Sequence, residues 1–278
     1  MPELPEVETV RRGLNQVSLN QSMTGGEVLL DRTIAHPFYV SDFLAGLTGR
    51  AIVQWHRRGK YLLAELDQKN GWLAVHLRMT GQLLWVQQTT ALQTHCRVRL
   101  FFPSSQELRF IDQRTFGQMW WIPPDKKPEE IMSGLAALGP EPFSAEFSIA
   151  YFASKLQNRQ RPIKNALLDQ TIVAGIGNIY ADEALFLSQI HPQTHCSKLT
   201  LEQITILHGA IVQVLSDAIN AGGTTFSDFR DVQGINGNYG GVAWVYDRKG
   251  EPCRVCLTPI ERLKLAGRSA HFCPQCQQ

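Results

Sequence analysis

The chain opens Met1-Pro2-Glu3-Leu4-Pro5-Glu6-Val7-Glu8. Proline is small enough at the second position for the initiator methionine to be trimmed, which leaves Pro2 with a free secondary amine. An α-amino group titrates near pH ~8, so a useful fraction is unprotonated at neutral pH, whereas a lysine first needs its pKa depressed. A secondary amine that attacks an aldehyde carbon yields only a charged iminium, an electron sink that eases elimination beside that carbon. Glu3 and Glu6 place carboxyls next to the amine, where they could protonate an oxygen or pass a proton. The plain alternative is a frayed terminus whose acids merely cap a helix.

Near the other end, Cys253-x2-Cys256 and Cys273-x2-Cys276 have the spacing of four thiolates that fill a zinc tetrahedron. With no open coordination position such a metal is structural, and one Zn2+ per chain is expected. A pair of disulfides is the alternative, disfavoured in a reducing compartment. Cys96 and Cys196 read as unpaired bystanders. Arg268 falls between the two knuckles, where the metal could hold it against a phosphate. Between Arg248 and Arg268 six cations face two anions, a local basic patch in a chain whose net charge is only +2.

Two further stretches carry possible contacts. Ile163-Lys164-Asn165-Ala166-Leu167, followed by Gly175-Ile176-Gly177-Asn178-Ile179-Tyr180, reads as helix, glycine turn and helix, with Asn178 as N-cap and the helix start as an anion site. Tyr180 occupies the third glycine position of a dinucleotide fingerprint, so that reading fails, and a phosphate-binding turn and a plain interhelical turn both stay open. His76-Leu77-Arg78-Met79-Thr80-Gly81 and Asp112-Gln113-Arg114-Thr115-Phe116-Gly117 are turns in which apolar side chains beside arginine could wedge into a duplex. Met79 and Phe116 could equally be core. Arg57-Arg58-Gly59-Lys60-Tyr61 adds a cationic turn.

These residues need elements to position them. Pro5, Glu6 and Glu8 suit the first turn of a helix, and Val7, Val10 and Leu14 share one of its faces. Short β-branched and aromatic runs at 51–55, 61–66, 72–77, 83–86, 98–102 and 118–122 have the spacing of an all-β sandwich or barrel, with hairpin turns at 67–71 and at Thr80-Gly81. Prolines at 123, 124 and 128 mark a composition shift, and a boundary is placed near residue 140. A helix is expected over 200–221, with Thr200 and Gln203 as a capping box, Leu199 and Ile204 as a staple and Gly222 as its end.

At 278 residues, 44% hydrophobic and 19% charged, the composition is that of an ordinary globular protein with room for two domains. The first residues lack a basic region followed by an apolar run, and no run approaches the ~18 apolar residues of a membrane span. A cytoplasmic, membrane-free protein is expected.

Taken together, MPELPEVETV, the lysine of RRGK, GIGNIY, GGTT and the four-cysteine finger, in this order over nearly the whole chain, resemble the formamidopyrimidine-DNA glycosylase family. The resemblance implies an α+β chain: an N-terminal β-sandwich domain with an N-terminal helix over 1–140, a helix-two-turn-helix DNA-binding domain over 141–241 and a zinc finger over 242–278, with DNA between the halves. It implies a monomer acting on damaged double-stranded DNA and associated with the nucleoid. It also implies base-excision repair of 8-oxoguanine and formamidopyrimidines, followed by β,δ-elimination at the abasic site. Pro2 would be the nucleophile and Glu3 the general acid, with Lys60 and Arg268 completing the catalytic set through phosphates. Glu6 would be a supporting carboxylate, grouped with His76, Met79, Arg114, Phe116, Lys164 and Asn178 on the DNA side. Among these Met79, Arg114 and Phe116 would fill the gap left by the flipped base, with Arg114 facing the orphaned cytosine. The segment 226–241 departs from the commonest bacterial form of a loop that closes over the flipped base. Endonuclease VIII, a sibling acting on oxidised pyrimidines, is the nearest rival, and Leu4, where that sibling usually has glycine, speaks against it. A non-catalytic zinc-finger DNA-binding protein would account for the cysteines but not for the sequence around Pro2.

Overall fold

The computed structural model describes residues 1–224, 231–235 and 237–278. The chain forms two compact units, one of Met1–Ala136 with Ala221–Asn238 and one of Ala137–Asn220 with Tyr239–Gln278.

In the first unit helix α1 (Leu4–Val17) starts with Pro5 in its first turn and ends at Ser18, whose hydroxyl and N–H both donate to the Leu14 carbonyl. Val7, Val10 and Leu14 are fully buried in one core with residues of both sheets. Burial of side chains of this size contributes about 1.5–3 kcal/mol each before entropy is counted. The outer flank is ionic. Glu8 takes hydrogen bonds from Arg11 and Arg12 and pairs with Arg57 at 3.2 Å.

The first unit continues through β1 (Gly25–Val28), β2 (Ile34–His36), α2 (Val40–Leu47), β3 (Ile52–Arg58), β4 (Tyr61–Leu66), β5 (Trp72–His76), β6 (Gly81–Gln87), β7 (Cys96–Phe101), β8 (Gln106–Asp112) and β9 (Gln118–Ile122), then the short helices α3 (Pro128–Ile131) and α4 (Ser133–Ala136). One sheet has the order β1-β7-β8-β6 and the other β2-β9-β5-β4-β3. All pairs are antiparallel except β2 with β9. The sandwich expected from the sequence is present, with the shared core between its sheets. At the free edge of β3 the Asn15 amide bridges the Trp55 N–H and carbonyl at 2.9 and 3.0 Å, standing in for a neighbouring strand.

Two expectations need correction. Thr80-Gly81 does not close a hairpin, because β5 and β6 belong to different sheets, and residues 77–80 carry the chain from one to the other. Arg78 has φ +52 there, and Gly81 returns its N–H to the Leu77 carbonyl at 2.9 Å. Strand β8 lies outside the expected runs, because charged Glu107 and Arg109 interrupt its apolar residues. Both are fully buried as an ion pair, and Arg109 is further bonded to Thr90 O, Ala91 O and Gln93 beneath residues 88–95.

The second unit holds α5 (Ile149–Leu156), α6 (Ile163–Leu167), α7 (Asn178–Leu187), α8 (Leu201–Asn220) and a hairpin of β10 (Glu261–Leu265) with β11 (Arg268–Phe272). Helix α8 has its expected capping box, with Thr200 and Gln203 exchanging bonds of 3.0 and 3.2 Å. Helix α7 is buried from Ile179 to Phe186 on every side, and that stretch includes Asp182 and Glu183. Among the described residues no helix is long and apolar enough to cross a membrane.

Burial alone would raise the Glu8 carboxyl, but bonds from Arg11 and Arg12 and the charges of Arg11 and Arg57 prevail and hold it at about 2. A depressed folded pKa gives stability that is full above the ordinary 4.5 and lost as pH falls toward about 2. Glu8→Gln is therefore expected to cost about 1–2 kcal/mol at pH 7 and to flatten the stability profile below pH 4.5, by denaturant titration at several pH values.

Candidate functional site

The amino end is held rather than frayed. Pro2 is buried, Glu3 and Glu6 are each 1% exposed, and only Met1 reaches solvent. One oxygen of Glu6 accepts the Glu3 N–H and the other accepts the Thr224 N–H, both at 2.8 Å. Gly223 sits at φ +80 against Glu6, where a Cβ would lie 3.3 Å from the Glu6 Cα and 3.1 Å from its carboxylate, so glycine is needed for both conformation and space. A single buried carboxylate thus joins the first turn of α1 to residues 221–224. Once Met1 is removed, this arrangement presents a secondary amine beside an acid in a low-dielectric setting, suited to attack on an electrophilic carbon with proton transfer. Residues 225–230 and Asn236, which include part of the atypical stretch 226–241, lie outside the described residues.

Lys60 sits half-buried in the turn between β3 and β4, and its neighbour Tyr61 pairs with His76 across β4 and β5, ring centroids 4.5 Å apart. Burial, aided by the charges of Arg78 and Lys60, pushes the His76 imidazole down to about 3. It is neutral at physiological pH. Its Nδ1 accepts the Arg78 N–H at 3.0 Å, so the ring proton is carried on Nε2 as a donor.

Met79, Arg114 and Phe116 come together at one end of the sandwich, on the two stretches that cross between its sheets. Phe116 is 53% exposed, which removes the core reading, and the Arg114 guanidinium carbon lies 5.1 Å from its ring centroid. The Arg114 N–H donates to the Thr80 hydroxyl at 3.0 Å, next to Met79.

In the second unit the predicted residues fall into two kinds. Arg268 is exposed at the start of β11, and with Lys249, Arg262 and Lys264 it lines a shallow cavity of about 420 Å³. Lys164 is 1% exposed instead, its ammonium 2.6 Å from an Asp182 oxygen and 2.5 Å from the Ser269 carbonyl. The other Asp182 oxygen accepts the His271 N–H at 3.0 Å. Asn178 is the first residue of α7 rather than its cap: Gly177 adopts the extended cap conformation, φ −130, ψ −158, and the helix begins one residue later. The Asn178 side-chain oxygen is buried and has no hydrogen-bond partner among the described residues.

Asp182 and Glu183 lie outside the expected site residues. Glu183 accepts the N–H groups of Trp244, Val245 and Tyr246 at 2.7, 2.9 and 2.9 Å, so the adjacent acids of α7 fasten the β11 hairpin and the segment leading to it. Two acids inside an apolar helical run were the available signal.

The sulfurs of Cys253, Cys256, Cys273 and Cys276 all lie within 4.8 Å of one another, with 3.9 Å between Cys253 and Cys276 and 3.4 Å between Cys256 and Cys273. A tetrahedron with Zn–S bonds of ~2.3 Å has edges of roughly 3.8 Å, so the four cysteines fit one structural zinc.

Family comparisons cover most of the chain. Residues 1–119 match the formamidopyrimidine-DNA glycosylase N-terminal domain, 138–230 the H2TH domain of the same family, and 250–278 the zinc finger found in FPG and IleRS. The chain is 64% identical over 282 residues to the formamidopyrimidine-DNA glycosylase of Nostoc sp., covering 100% of both chains. Among solved structures it is similar to Lactococcus lactis Fpg in complex with DNA containing an abasic site, with a TM-score of 0.92, 36% identity and 99% of both chains covered. The same enzyme in complex with Fapy-dG-containing DNA matches with a TM-score of 0.90 and 36% identity, covering 99% of this chain and 100% of the other. The chain belongs to the formamidopyrimidine-DNA glycosylase family.

Proposed function

We propose that this member of the family removes 8-oxoguanine and formamidopyrimidine bases from duplex DNA and cleaves the strand at the resulting abasic site, with Pro2 as the nucleophile after loss of Met1. The observation that carries the reading is the buried amino end, where the Glu6 carboxylate fixes the turn bearing Pro2 and Glu3. The Pro2 amine attacks C1′ as the glycosidic bond breaks. Glu3 protonates the sugar oxygen as the ring opens and leaves an iminium on Pro2. Loss of a C2′ proton then expels the 3′ phosphate, and a second elimination expels the 5′ phosphate. Support for the substrate class comes from the Lactococcus lactis relative, solved with Fapy-dG and abasic DNA.

In this reading a glycosylase must take its target out of the stack, and Met79, Arg114 and Phe116 fill the vacated space, with Arg114 toward the orphaned base. Lys60, Asn178 and Arg268 hold phosphates, and neutral His76 donates through Nε2. Lys164 acts from beneath, through the Ser269 carbonyl next to Arg268. The catalytic sandwich is assigned to 1–140, the helix-two-turn-helix domain to 141–241 and the zinc finger to 242–278. The protein acts as a monomer and associates with the nucleoid.

Borohydride reduction during turnover is expected to leave a DNA adduct on the amino-terminal peptide. A chain with residues retained ahead of Pro2, whose nitrogen is then an amide, should neither trap nor cleave lesion DNA. Normal cleavage by that extended chain would place the nucleophile elsewhere, with Lys60 the first alternative. Phe116→Ala should reduce excision from duplex DNA by tenfold or more, roughly the cost of unstacking left unsupported, yet spare cleavage at a preformed abasic site. Equal losses on both substrates would contradict the wedge. Arg268→Ala should weaken binding to all duplexes and lower the salt slope by about one unit. Asp182→Asn should shift affinity in the same direction while the chain keeps one zinc by metal analysis.

A further inference from the structure

The two stretches that cross between the sheets are joined by two side chains to which the mechanism above gives no task. Asp112 closes β8 and is 1% exposed. One of its oxygens accepts the Thr80 hydroxyl at 2.5 Å and the other accepts the Gly117 N–H at 2.7 Å. The same Thr80 oxygen accepts the Arg114 N–H at 3.0 Å. Each bond therefore ends beside a gap-filling residue: Thr80 follows Met79, the Arg114 amide is bonded itself, and Gly117 follows Phe116.

The surroundings leave this pair little freedom. Residues 77–80 run from β5 to β6 and residues 113–117 from β8 to β9, while Gly81 pairs with Asp112 and His76 with Gln118, so both stretches leave and rejoin paired strands. The Asp112 main chain is fixed as well, its N–H donating to His95 O and its carbonyl accepting from Arg97. A Cβ on Gly117 would lie 2.4 Å from the Phe110 ring and 3.0 Å from the Asp112 carboxylate, so that turn closes only around glycine. Thr115 sits at φ +57, and its hydroxyl accepts from Arg32 at 2.6 Å.

We infer that Thr80 and Asp112 are positioning residues that bind the Met79 turn and the Arg114–Phe116 turn into one body, and that this coupling sets discrimination of the base opposite the lesion. The inference rests on the gap-filling role proposed above for Met79, Arg114 and Phe116. An exposed arginine can distinguish one base edge from another only if its backbone is held to within a fraction of an ångström, because misplaced donors lose hydrogen-bond strength steeply. Phe116 and Met79 can enter the duplex together only if their turns do not move apart. A hydroxyl that donates to a buried carboxylate and accepts an amide supplies both constraints, and its removal leaves a carboxylate oxygen and an N–H without their partner.

The test compares Thr80→Ala and Thr80→Val with Thr80→Ser, which keeps the hydroxyl. Excision from duplexes with cytosine or adenine opposite 8-oxoguanine, strand cleavage at a preformed abasic site, and binding to an uncleavable tetrahydrofuran duplex with each opposite base are measured for all. Loss of the hydroxyl should reduce excision opposite cytosine by about tenfold, the scale of one hydrogen bond to a charged group, and shrink the cytosine-to-adenine ratio in both excision and binding. Cleavage at the preformed abasic site should stay within about twofold, since extrusion costs little there. Thr80→Ser should restore the ratio, and hydrogen exchange at the Arg114 and Gly117 amides should quicken in Thr80→Ala and Thr80→Val but not in Thr80→Ser. An unchanged ratio in both hydroxyl-free variants, or equal losses on all substrates without rescue by serine, would overturn the inference. Failure of the underlying reading shows instead in unaltered protein, as absent excision of oxidised purines or indifference to the opposite base.

Discussion

The site depends on the Glu6 carboxylate, buried and bonded to two backbone amides, one of them 218 residues away in sequence. A carboxylate taken out of water is costly unless its oxygens are satisfied, so the burial that isolates it also obliges both amides to be present. The amine at Pro2 is short and has no side-chain torsions of its own to adjust. Its position is the position of the first turn of α1, and that turn is set by Glu6 from one side and by the apolar face of Val7, Val10 and Leu14 from the other.

The same device recurs. Asp112 collects a hydroxyl and an amide, Asp182 the His271 amide and the Lys164 ammonium, and Glu183 three successive amides. All are essentially buried, while the groups they steady, Arg114, Phe116 and Arg268 among them, face solvent. Exposed arginines and aromatics have many rotamers, and ordering them by contacts of their own would occupy the atoms needed for a ligand. Fixing the backbone from below leaves those atoms available.

Local pattern made much of this legible. The α1 face, strands 61–66 and 118–122, the α8 capping box and the cysteine spacing are all written in neighbouring residues, and each is where the sequence placed it. What stayed hidden depends on partners far along the chain. Strand β8 was concealed because Glu107 and Arg109 neutralise one another under residues that no periodicity announces. The crossing at 77–80 reads like a hairpin, since a turn signal does not reveal which sheet the next strand joins. Lys164, expected on the DNA side, is held instead by Asp182 and Ser269, which other elements bring to it, and nothing beside Asp182 and Glu183 in sequence announces the amides they bind.

Because Glu6 grips Thr224 by its main-chain N–H, the hold on the stem is blind to side-chain identity beyond it. Gly223, by contrast, is fixed in kind by its positive φ and its closeness to Glu6. A change of side chain in the residues that follow therefore leaves that main-chain bond intact. Side-chain identity beyond the stem and the placement of the amine are in this sense separable: the one can change while the other is kept.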